Sequence, residues 1–169
     1  MGRARIGRLD IDELAVRRLR IARELGRRGM TALPLRLNPG ADLRESLEAE
    51  LAARACSAAF VVSAIGSLSV ARLRFAGARE PVELSGDLEI LTLAGSVAVN
   101  GSHLHISVAD AQGRVTGGHV AKAGVVRTTA EVLLALLPGW SFRREPDPAT
   151  GFDELVVSQP NPGMKGKTA

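Results

Sequence analysis

From Ala58 onward the chain alternates apolar and polar residues with a period of two. Glycine or Asn-Gly punctuates that alternation at Gly66, Gly77, Gly86 and Asn100-Gly101. A period of two places every second side chain on one face of a strand, and Gly and Asn-Gly supply the backbone of tight turns. The pattern predicts strands over 60–65, 68–75, 81–84, 88–99 and 103–109, with Val115–Val120 as the return strand of a hairpin turning near Asp110–Gly113. Residues 125–137 are ambiguous: Val125, Val126, Thr128 and Thr129 favour a strand, whereas 130–137 alone could be helical. Their position among short, turn-separated strands decides for a strand. Residues 140–144 and 154–157 predict two closing strands around a loop at 146–151.

Helical patterning is confined to the region before Ala58. Leu43, Leu47 and Leu51 recur every fourth residue, and Asp42 can accept a hydrogen bond from the first turn, so a helix is expected over 43–55. Leu33–Leu37 alternates as a first strand, followed by an Asn38-Pro39-Gly40 turn. A second helix is expected over 10–25, opened by Asp10 with Glu13 and stopped at Gly26. Three segments result: a basic N-terminal extension, 1–30, one domain, 31–158, and a mobile tail rich in Pro, Gly and Lys, 159–169. Met30 is an alternative start to the chain.

Composition excludes several functions. With one Trp, four Phe and no Tyr, the chain lacks the aromatic platform on which single-stranded nucleic acids stack. A single cysteine, Cys56, cannot form an internal disulfide and suits a reducing compartment, the cytoplasm. Neither a secretory leader nor a stretch long enough to span a membrane is expected. The net charge of +4 is unevenly placed. Residues 1–30 carry nine arginines against four acids, whereas 31–158 are mildly acidic. Phosphate contacts, if any, are expected from Arg3, Arg5, Arg8, Arg17 and Arg20 rather than from the domain.

All three histidines fall between positions 103 and 119. Scattered at random they would crowd this closely only roughly a few times in a hundred. On a strand, His103 and His105 share one face while Leu104, Ile106 and Val108 face the core. If residue 109 pairs with 113, His119 lies opposite His103 on the same face, with Gly117-Gly118 as a bulge or as room for close approach. Three neutral imidazoles leave a fourth position open on zinc, the pattern of a reactive or ligand-binding centre. Glu89 is the candidate base by strand parity. The Ser63, Ser67, Ser69 and Ser96 hydroxyls read as scaffold. There is no nucleophile elbow, phosphate-binding Gly-Lys-Ser/Thr loop or dinucleotide glycine motif.

Several segments together resemble a known family. Gly66-Ser67-Leu68-Ser69 with Leu73-Arg74-Phe75, Gly86-Asp87-Leu88-Glu89-Ile90-Leu91 and Leu93-Ala94-Gly95-Ser96 are similar to the PPC domain shared by plants and prokaryotes. So are His103-Leu104-His105-Ile106-Ser107, Gly117-Gly118-His119-Val120, Thr128-Thr129-Ala130-Glu131-Val132, Trp140 and Thr150-Gly151-Phe152. The resemblance covers about 33–157 and is to the stand-alone prokaryotic form. It implies an α+β fold, a largely antiparallel β-sheet with one or two helices packed on it, assembled as a homotrimer. It also implies a metal site at His103, His105 and His119, with zinc as the expected ion, and a DNA-binding or regulatory role. The plant members' Arg-Gly-Arg-Pro minor-groove core is missing here: Gly2-Arg3-Ala4-Arg5 lacks its middle Gly and its Pro. The alternative is a metal-dependent enzyme or small-ligand binder using the open zinc position.

Overall fold

The computed structural model describes residues 29–159. The expected helix over 10–25, its arginines and all but the first residue of the tail lie outside the described residues. Eight strands and one helix follow in the order β1 (Thr31–Leu37), α1 (Leu43–Ala53), β2 (Ala58–Arg74), β3 (Val82–Ala98), β4 (Gly101–Ala109), β5 (Val115–Val120), β6 (Val125–Leu136), β7 (Ser141–Asp147) and β8 (Phe152–Ser158). The strand reading of 125–137 holds, and among the described residues a single helix accompanies the sheet.

Six strands form one antiparallel sheet in the order β1-β6-β2-β3-β4-β5, and β7 with β8 makes a separate hairpin. The far end of β2 also pairs with β5, through Leu73↔Val120 and Arg74↔His119. The ring β2-β3-β4-β5 therefore closes on itself at that end, and full pairing leaves no open edge there. Leu68, Leu73, Leu104, Val108 and Val126 are fully buried, each facing the apolar side of its strand.

Two expected breaks are absent. The segments 60–65 and 68–75 are one seventeen-residue strand, as are 81–84 and 88–99. Gly66 and Gly86 are not turns but bends inside these strands, both at φ +131°. At Gly66 a Cβ would collide with the Thr129 carbonyl oxygen of β6, so the missing side chain lets two strands come together. Glycine in a long strand marks close backbone approach as readily as a turn, and the sequence does not distinguish the two.

The helix is built as its sequence suggests. Asp42 caps it by accepting from the Glu45 N–H at 2.8 Å, and Leu43, Leu47 and Leu51 are all buried. Glu48 ties the helix to the start of β4, accepting from both the Ser102 N–H (2.9 Å) and its hydroxyl (2.6 Å). Cys56 is half-buried beside the main core, and its thiol donates to the Ala58 carbonyl. No described helix is long and apolar enough to cross a membrane.

Candidate metal centre

The alternation in β4 divides its side chains as expected. Ser102, Leu104, Ile106 and Val108 are buried, while His103 and His105 stand on the other face. The hairpin, however, pairs differently. Ala109 meets Val115, and His119 lies directly across from His105 rather than His103. The turn causes the shift. Gly113, at φ +75°, is the last residue of the loop, and Asp110 pairs instead with Arg114. The Asp110 carboxylate accepts from the Gln112 and Arg114 N–H groups and from Arg114 Nε, which locks that loop. The shift is an even number of residues, so His119 keeps the face that parity assigned to it.

Gly117 and Gly118 are not a bulge, since the β4–β5 register runs without interruption. They provide close approach: a Cβ at Gly117 would lie 2.9 Å from the Ile106 carbonyl oxygen, and one at Gly118 3.0 Å from that of Arg74. Gly95 does the same on β3, where φ is +141° and a Cβ would collide with the His103 carbonyl oxygen. The histidines are thus held on tightly packed backbone.

A row of paired residues runs across the sheet from Arg74 on β2 through His119 on β5 and His105 on β4 to Ala94 on β3. His103 pairs with Ser96 in the next row. Ring nitrogens of the three histidines lie within 4.8 Å of one another. The Nε2 atoms of His103 and His105 are 3.1 Å apart. Two nitrogens on one tetrahedral zinc stand roughly 3.3 Å apart, given bonds of about 2.0–2.1 Å. Among the described residues His119 Nδ1 is buried with no hydrogen-bond partner.

At His103 and His119 the electrostatics favour neutral imidazole, the form that binds metal. Burial, then the neighbouring charges of His103 and Arg74, lower the His119 pKa to about 4. His103 is also lowered, by burial first and then by Arg144 and His105, with Glu154 opposing. Separation, donor type and protonation all fit a divalent ion of the zinc kind.

The carboxylates beside the histidines are not the expected one. Glu89 is exposed and pairs with Ala109, five residues along β3 from the partner of His105. At about 3.3 Å per residue that is roughly 16 Å away. Instead Asp153 and Glu154 of β8 line a cavity of about 790 Å³ together with His103, His119, Arg74 and Arg79. The β7–β8 hairpin brings them there. Asn100 and Arg144 exchange two hydrogen bonds of 2.8 Å between the Asn100 side chain and the Arg144 backbone. Arg144 Nη2 then donates to Ser96 Oγ at 2.6 Å, beside His103. Phe142 is buried with Ala58 and Ala98, seating the hairpin. Ser67, bonded to Thr128 at 2.6 Å, and Ser96 are scaffold hydroxyls as read.

The family model of the Plants and Prokaryotes Conserved (PCC) domain matches residues 25–138. The chain belongs to the PCC family. The resemblance seen in the sequence is borne out, and the match contains all three histidines. The PCC chain is 50% identical over 126 residues to the bifunctional protein GlmU of Synechococcus sp. (strain JA-3-3Ab), covering 75% of this chain and 20% of that one. It therefore spans about a fifth of the length of the curated relatives it matches. Among solved structures it is similar to a hypothetical protein from Salmonella cholerae-suis, at 35% identity and TM-score 0.75, covering 78% of this chain and 95% of that one. It is also similar to a metal-containing protein from Archaeoglobus fulgidus, at 30% identity and TM-score 0.65, covering 75% and 93% of the two chains.

Proposed function

We propose that this PCC domain is a metal-binding module that holds one zinc ion between His103, His105 and His119. The observation that carries the reading is the convergence of three ring nitrogens within 4.8 Å on one sheet face. The metal content of the Archaeoglobus relative supports it. Three protein ligands leave one position of a tetrahedral ion for water or a ligand, and the cavity beside His103 and His119 gives that position access.

In this reading the module works as a homotrimer. Its support is a set of exposed apolar side chains on the sheet: Ile65 and Leu91, which flank the Gly66↔Ile90 pair of β2 and β3, are 57% and 48% exposed, and Val62 of β2 is 57% exposed. Apolar side chains clustered on a sheet surface mark an interface. DNA contact, in a regulatory role, belongs to the basic segment 1–30, because the domain itself carries no excess of positive charge. A cytoplasmic location agrees with the unpaired Cys56.

The test is elemental analysis after zinc loading and dialysis. About one zinc per chain is expected for the wild type, falling to near none in His105→Ala with the circular dichroism unchanged, since His105 is exposed and outside the core. A metal-free wild type, or a His105→Ala variant that keeps its zinc, contradicts the reading.

A further inference from the structure

The cavity beside His103 and His119 carries cationic side chains that the proposed metal would not engage. Arg74 belongs to the same cross-strand row as His119 and His105, so its side chain is on their face. Arg74 lines the cavity, and among the described residues its one side-chain hydrogen bond is a long one, 3.5 Å, to the Ala78 carbonyl. Among the described residues it forms no ion pair. Arg79 stands exposed on the same wall. Outside the cavity lining, Arg144 is anchored at Ser96, the partner of His103, and among the described residues its Nε is buried without a hydrogen-bond partner. The two buried side-chain polar atoms without partners in the described residues, His119 Nδ1 and Arg144 Nε, thus both belong to this site.

Arg74 and Arg79 line the cavity beside Asp153 and Glu154, and a divalent ion on the histidines would add two further positive charges. That is an excess of positive charge in a partly enclosed space, where an anion is attracted far more strongly than in open solvent. Guanidinium groups recognise planar carboxylates and phosphoryl oxygens by paired hydrogen bonds. A volume of about 790 Å³ is within the range of small-molecule sites and far larger than an inorganic ion needs.

We infer that the cavity binds a small organic molecule through an oxyanion group, a carboxylate or phosphoryl, held between Arg74 and the open position of the metal. This rests on the metal reading above. Glu154 also lines the cavity and repels an anion, so the anionic end is directed away from it and toward Arg74.

Calorimetric titration of the zinc-loaded protein with malonate and with phenyl phosphate tests the inference, each compared with a neutral amide or alcohol of similar size. At least one anion is expected to bind at one per chain, and which one binds separates carboxylate from phosphoryl recognition. Arg74→Gln should weaken it tenfold or more with zinc content measured in the same samples. Glu154→Gln should tighten it severalfold, a gain that a misfolded variant would not produce. A protein that takes up zinc but binds neither anion better than the neutral compounds overturns this inference and leaves the metal site standing. A protein that takes up no zinc overturns the metal reading instead, and this inference, which rests on it, falls with it.

Discussion

At the scale of single residues, the histidines are legible because strand parity is a local property. Leu104, Ile106 and Val108 mark the core side of β4, and that alone puts His103 and His105 on the other face. The partner of His119 is not legible, because it depends on whether Gly113 pairs or turns, and its left-handed backbone makes it turn. Glu154 is hidden for a different reason: nothing near it in sequence connects it to residues fifty positions earlier. The histidine environment has a consequence for stability. With His119 lowered to about 4, the folded, metal-free chain stays neutral there while the unfolded chain binds a proton below about 6.5. Unfolded protein then binds more protons, so stability should fall as pH drops from about 6.5 toward 4 and level off below. Urea unfolding in the presence of chelator at several pH values measures this. His119→Gln should flatten the dependence, and an unchanged slope would remove His119 from the explanation.

Among the elements, the single strands β2 and β3 show where pattern reading fails. Gly66 and Gly86 look like turns in the sequence, but the alternation on either side of each belongs to one strand that bends. Helix α1 shows where it succeeds, since its cap and its Leu43-Leu47-Leu51 stripe are both local signals. The β7–β8 hairpin is intermediate: its strands are visible in the sequence and its docking is not. That docking depends on Asn100, whose side chain both donates to and accepts from the Arg144 backbone. Asn100→Ala removes two hydrogen bonds and should destabilise the hairpin's docked state by about 1–3 kcal/mol. Hydrogen exchange should then quicken over 141–158 while β2 and β4 remain protected. Equal loosening of the whole sheet would show that the hairpin is not held separately.

For the whole molecule, the closed ring of β2-β3-β4-β5 supplies a rigid floor on which three histidines and Arg74 are fixed, and the hairpin supplies one wall of the cavity. The proposed assembly and nucleic-acid contact would use other surfaces. Light scattering is expected to give about three times the 17.8 kDa chain mass, and Ile65→Lys should shift it toward monomer; a monomeric wild type would exclude the trimer. DNA affinity should be weak, steeply salt-dependent and lost when the chain starts at Met30. Equal affinity with and without 1–29 would assign it to the domain instead. The central claim, three histidines on one ion with a position left open, is tested most directly by zinc X-ray absorption on the loaded protein. Three imidazole nitrogens at about 2.0–2.1 Å and one exchangeable light-atom donor are expected. A sulfur neighbour, or fewer than three imidazoles, would contradict it.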